Sequence, residues 1–280
     1  MMTPARRKRD LAKSDAEQRR IDEEKYVGFS VACNNDEANA CHSLGEWYAV
    51  LRANFSKAAE LYRPNCLERG YANSCFNLGL LFGAGKGVQK DRTAALELFE
   101  RGCELGNGDA CDLAGRSLLE AAARAESADS PAEGAAKPDA TRGGGIVKTG
   151  SAGSAALKAG DAAAMRAHAD KLLQRGCVDL ENATACKFLG EVLLVGRFGH
   201  PMDKPRAAEL LETACDRFEM TACRNLMLMH VRGDGVPKDF AKAEEFRQRS
   251  VAAVEQESGV RMPEYLQERF RKNHGPEARS

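Results

Sequence analysis

The sequence predicts an all-α fold, an α/α solenoid of about five helical hairpins cross-linked by disulfides. Three observations carry that expectation. A short phrase recurs as Ala40-Cys41-His42-Ser43-Leu44-Gly45, Ser74-Cys75-Phe76-Asn77-Leu78-Gly79, Ala110-Cys111-Asp112-Leu113-Ala114-Gly115, Ala185-Cys186-Lys187-Phe188-Leu189-Gly190 and, more loosely, Ala222-Cys223-Arg224-Asn225-Leu226-Met227. Its period is about 35 residues, doubled once between Cys111 and Cys186, which is the length of one helix–turn–helix unit. The 10 cysteines fall into five local pairs, Cys33/Cys41, Cys66/Cys75, Cys103/Cys111, Cys177/Cys186 and Cys215/Cys223. An even count locked to a repeating spacing reads as a disulfide framework. Finally, aromatics make up only 6% of the chain while alanine is plentiful, which suits closely packed helices.

Each element follows in turn. The opening stretch MMTPARRKRDLAKSDAEQRRIDEEKY has no apolar core of the kind a secretory signal needs. Asp10, Asp15, Glu17, Asp22, Glu23 and Glu24 also interrupt the basic residues a mitochondrial presequence requires. Arg6–Arg9 are read as a solvated, frayed end. Residues 1–33 form an extension and a leading helix, expected over 14–33, that presents Cys33.

The solenoid is expected over 34–255. Its second copy is the fullest: a first helix near Asn73–Phe82, a stop at Gly83, Gly85 and Gly87, then Asp91 as N-cap of a second helix running to Cys103. The first copy lacks the glycine stop and is expected to use Asn54. In the third copy the Ala-, Gly-, Ser- and Pro-rich segment 124–160 reads as a flexible insertion between the two helices. Ala162–Cys177 supplies the second of these. Residues 256–280 are a polar cap and tail with a short helix expected near Pro263–Lys272.

Each pair sets one cysteine near the end of a second helix and the other in the next first helix. Two antiparallel helices leaving such a turn bring the Cα atoms within disulfide reach. Redox exchange is the competing use of these thiols, with Cys33/Cys41, at the end of the array, the pair most exposed to it. No Cys-x-x-Cys occurs, and the pairs lack the short spacing of zinc ligands.

Charge is balanced at 41 basic and 41 acidic residues, so no global field favours nucleic acid or anionic membrane. No apolar run approaches the roughly 18 residues of a membrane span. The glycine turns Gly83–Gly87 and Gly233–Gly235 follow helices and lack a Gly-Lys-Ser/Thr, so they read as turns and not phosphate loops. His42 and His230 are the histidines that heme or copper ligation would use, against an ordinary partly buried role. Trp47 and Tyr48 read as core or groove wall. No catalytic grouping stands out, and no cofactor or metal is expected.

The unit Ala-Cys-x-x-Leu-Gly, followed by Gly-x-Gly-Val-x-x-Asp-x-x-x-Ala at Gly85–Ala95 and Gly233–Ala243, resembles the Sel-1-like (TPR-like) repeat family. The resemblance covers about 33–250 apart from the insertion. It implies a non-enzymatic scaffold with protein partners on its concave face. Two cysteine-paired branches of that family put a disulfide across each inter-repeat turn. One is secreted and bacterial; the other serves cytochrome c oxidase (respiratory complex IV) assembly in the mitochondrial intermembrane space, and its pairing pattern fits better. That branch implies respiratory-chain assembly components as partners and oxidative trapping as the route of entry. A thiol–disulfide or heme/copper-handling factor, or a secreted cysteine-rich repeat protein, are the alternatives.

Overall fold

The computed structural model describes residues 4–128, 155 and 160–258. The described residues are helical with no strand among them, and they form two compact units divided between Leu105 and Gly106.

The first unit holds α1 (Pro4–Asn34), α2 (Ala38–Leu51), α3 (Phe55–Leu67), α4 (Ala72–Ala84) and α5 (Arg92–Glu104). Consecutive helices pack as hairpins, α2 on α3 and α4 on α5, with α1 laid against α2. α1 begins ten residues ahead of the expected start, so the backbone of Arg6–Arg9 is helical and not frayed. Proline opens it at the position where a missing N–H costs nothing, and Ala, Arg, Lys and Leu then favour propagation. Asn54, expected to stop α2, instead caps α3 by accepting from the Lys57 amide at 3.1 Å. The sharp reversal falls on Ala53, whose φ is +49°. In the next hairpin Gly85 ends α4 with φ +70°, and Asp91 caps α5 by accepting from the Thr93 and Ala94 amides, each at 3.0 Å. Gly83 lies within α4 and does not end it.

The second unit holds α6 (Gly108–Ala128), α7 (Ala162–Gln174), a π-helical turn (Arg175–Asp179), α8 (Ala183–Val195), α9 (Lys204–Asp216), α10 (Met220–Arg232) and α11 (Phe240–Ser258). Its hairpins are α6 on α7, α8 on α9 and α10 on α11. α6 runs five residues into the segment read as insertion, through Arg124 to Ala128. The remainder of that segment, apart from 155 and 160, and the C-terminal helix expected near 263–272, lie outside the described residues. Cys177 falls in the π turn and not at the end of an α-helix. Cys177 and Cys186 are separated by 9 positions, as are Cys66 and Cys75, where Cys33/Cys41 and Cys215/Cys223 are separated by 8.

The Leu-Gly of the repeat phrase has a direct steric cause. A Cβ at Gly79 would stand 2.6 Å from the Phe99 ring, and one at Gly45 would stand 2.3 Å from the Tyr62 ring. The same holds at Gly115 against Leu173 (2.4 Å) and Gly190 against Leu211 (2.8 Å). In four hairpins the first helix therefore offers bare backbone where the second inserts its largest core side chain. The fifth departs, with Met227 buried in the corresponding place.

Candidate functional site

Disulfides staple the turns that join one helical hairpin to the next. Cys33–Cys41, Cys66–Cys75, Cys177–Cys186 and Cys215–Cys223 are disulfides with Cα atoms 4.5, 4.7, 4.6 and 4.8 Å apart. Cys103 and Cys111 are disulfide-bonded as well, and no described cysteine is free. Nine of these cysteines are at most 2% exposed, and Cys33 alone is half-buried. Within each unit the staple crosses from the end of one helix or hairpin to the first helix of the next. The adjoining residue takes a left-handed conformation at Asp36, Gly70, Gly106, Glu181 and Phe218 (φ +64°, +67°, +97°, +52° and +63°). Only two of these five are glycine, so the local strain at the others is carried by the covalent link and the packing around it.

A polar cluster sits under the first unit's stapled turns. His42, one residue past Cys41, is buried between the rings of Tyr62 and Tyr71, whose centroids lie 5.6 and 5.2 Å away. Its Nδ1 faces the Ser74 hydroxyl at 3.1 Å and its Nε2 faces Glu46 at 3.5 Å. Asn65 donates to Ser74 Oγ at 2.7 Å and to the Ala38 carbonyl at 2.9 Å. The tautomer that satisfies both neighbours carries its proton on Nε2, so the Ser74 hydroxyl donates to Nδ1. Burial pushes the His42 pKa down, partly offset by Glu46. Burial likewise pushes the Tyr62 phenol far above its ordinary range. Glu46, His42 and Ser74 stand in the order of an acid–base–nucleophile chain. Ser74 is 0% exposed, however, so its hydroxyl meets no substrate.

The second unit carries a charged counterpart. Asp112, also one residue past its cysteine, is 4% exposed and accepts from Arg116 Nε at 2.7 Å. Burial raises its pKa while Arg116 opposes that shift. The Arg116 guanidinium lies over the Phe188 ring at 4.3 Å. Lys187 reaches Glu219 at 2.9 Å, and Asn225 reaches Glu191 at 3.4 Å.

Trp47 is buried, its indole N–H donating to the Asp22 carbonyl at 3.1 Å, and it stacks 4.8 Å from Tyr26. It anchors α1 as core; Tyr48 is half-buried beside it. His230 is buried against Phe246 and faces the Pro237 carbonyl at 3.2 Å. Both histidines considered for metal or heme therefore point into intramolecular bonds. Among the described residues no three His, Cys, Asp or Glu side chains gather as metal ligands. Ser74, Asn65 and Tyr62 were not singled out from the sequence, nor were Asp112 and Arg116. The signal available for His42 and Asp112 was their place one residue past a cysteine, but Lys187 is half-buried and Arg224 exposed at that same position, so periodicity did not single them out.

Bare-backbone hairpins, glycine caps and stapled turns define an α/α repeat protein of the Sel1 kind. The Sel1 repeat model matches residues 38–64, 72–107, 183–217 and 221–250, so the chain carries four Sel1 repeats. The interrupted third hairpin is the one left unmatched. Among curated proteins, the chain is 28% identical over 227 residues to cytochrome c oxidase assembly factor 7 of Xenopus tropicalis, covering 79% of this chain and 82% of that one. It is 26% identical over 231 residues to the Drosophila melanogaster cytochrome c oxidase assembly factor 7 homolog, covering 79% and 83%. A solved Sel1 repeat protein from Oxalobacter formigenes shares the fold, with a TM-score of 0.55 and 16% identity over 87% of this chain and 94% of that one. No described helix is long and apolar enough to cross a membrane.

Proposed function

We propose that this chain is a non-enzymatic assembly factor for cytochrome c oxidase, holding protein partners on the concave face of its repeats in the mitochondrial intermembrane space. The observation that carries the reading is the set of oxidised cysteine pairs, one at each inter-repeat turn. Such a framework persists only in an oxidising compartment. The similarity to assembly factor 7 proteins, which spans about four-fifths of both chains, supports the same reading. The buried Ser74 and the intramolecular engagement of His42 and His230 argue for a scaffold over an enzyme. The test is protease protection of fractionated mitochondria, thiol trapping of the native chain, and cytochrome c oxidase content after its depletion. Protection lost on outer-membrane rupture, blocked thiols and a selective loss of the oxidase support the proposal. A cytosolic chain with free thiols, or an unchanged oxidase, overturns it.

A second reading rests on Cys33, the one half-buried cysteine. It makes the first pair an exchanging dithiol that serves other proteins. Redox titration in which all five pairs resist reduction equally would sink that version.

A further inference from the structure

We propose that His42 makes the junction between the first and second hairpins acid-sensitive: proton uptake on Nδ1 removes the Ser74-to-His42 hydrogen bond and loosens α2 from α4. The step is a simple protonation. Neutral His42 accepts from the Ser74 hydroxyl at Nδ1 and presents Nε2–H to Glu46, across 3.1 and 3.5 Å. A proton from solvent on Nδ1 turns that nitrogen into a donor facing a donor. Ser74 Oγ already accepts from Asn65, so accepting a second bond from the imidazolium forces its own hydrogen to find a new partner. Asn65 Oδ1 is an acceptor buried without a partner, on an amide whose nitrogen is tied to Ser74 and the Ala38 carbonyl. Protonation therefore takes from the Ser74 hydroxyl the acceptor it has in the neutral state, at the contact that joins α2 to α4.

Glu46 favours the resulting cation, but burial outweighs it. α3 presents Tyr62 and Asn65, α4 presents Ser74, and Tyr71 stands at the N-cap of α4. Among the described residues the charge that acts on His42 is the Glu46 carboxylate, itself half in solvent. The direction of the pKa agrees with that geometry, being lowered by burial. The unfolded chain thus takes up the proton first. Stability of the first unit is complete above the free imidazole value of about 6.5 and falls as pH drops toward the folded-state value.

The single tryptophan makes the test local. Trp47 lies on α2, five residues from His42, so its fluorescence reports the first unit. Urea unfolding of the full oxidised chain would be followed at Trp47 from pH 8 to pH 5. The midpoint is expected to shift to lower urea below pH 6.5 in the wild type and to stay level in His42→Gln, whose amide still accepts from Ser74. Equal pH slopes in the two proteins overturn the proposal. Should His42→Gln fail to fold, the ring-proton titration of wild-type His42 by NMR decides. A midpoint below that of free imidazole supports the proposal, and one at or above it refutes it.

Discussion

Substituting Gly79 with alanine asks whether the repeat's Leu-Gly is set by sterics or by helix chemistry. The new methyl would lie 2.6, 2.8 and 3.2 Å from three atoms of the Phe99 ring. That ring is 6% exposed and backed by Phe76, with centroids 6.1 Å apart, so it has little room to retreat. Overpacking of this kind costs about 1–3 kcal/mol, and three ring atoms inside contact distance put it at the upper end. Replacing a helical glycine returns about 1 kcal/mol. The net expectation is a loss of about 2 kcal/mol, or about 5 °C in Tm. Gly28 supplies the control: it lies in α1 with nothing within 4 Å of its added Cβ. There the same substitution should stabilise by about 0.5–1 kcal/mol. Urea unfolding of both variants, read by circular dichroism and Trp47 fluorescence, measures the two signs. In a Phe99→Ala background Gly79→Ala should turn stabilising, because the clash has gone. A Gly79→Ala protein as stable as the wild type would refute the steric account.

Three further outcomes follow from the same geometry. Replacing Cys66 and Cys75 together with alanine opens a loop whose ends are 9 positions apart, and it should cost about 2.5 kcal/mol in the chain-entropy account. An unchanged urea midpoint would show that staple to be idle. Asp91→Ala removes the acceptor for two amides at the start of α5 and should cost about 1 kcal/mol, read as a lower Tm of the full chain. Alkaline titration at 295 nm should show Tyr62 ionising well above the ordinary tyrosine range, and Tyr62→Phe should remove that late component. Because the folded phenol ionises later than the unfolded one, stability from Tyr62 is whole below pH 10 and lost as pH rises beyond it.

Local grammar was legible in the sequence wherever one residue decides one backbone angle or one contact along the helix. Asp91 as an N-cap and Gly85 as a C-cap are of that kind, as is the cysteine spacing that places each staple at a turn. Composition misled at Arg124–Ala128. There alanine and serine look like a linker, but Ala, Arg and Glu are good helix formers following an established helix. Asn54 misled in the opposite way: the residue suits a left-handed stop and an N-cap alike, and the cap prevailed because the Lys57 amide was waiting for an acceptor. The polar clusters were out of reach for a different reason. His42 meets Ser74 across 32 positions, and Arg116 meets Phe188 from another hairpin, so no local pattern says which side chain will stand opposite.

The two devices that hold the repeats act on different joints, and that separation bears on where function can be written. Glycine against a large side chain closes each of four hairpins internally, while the disulfide closes the joint to the next one. With both joints secured, the residue after each second cysteine is released from any common structural duty. It is His42, Phe76, Asp112, Lys187 and Arg224 in turn. His42 and Asp112 are buried in their own networks, whereas Phe76 and Lys187 are half-buried and Arg224 is exposed. A series that keeps its frame while changing charge, size and exposure at one register position is what a scaffold needs to tell partners apart. Within the series His42 is tied to Ser74 and Glu46, Asp112 to Arg116, and Lys187 to Glu219. On the proposed scaffold reading, Arg224, the exposed member of the series, is where a substitution should lower affinity for a protein partner while leaving the urea midpoint unchanged; a lowered midpoint would refute that assignment.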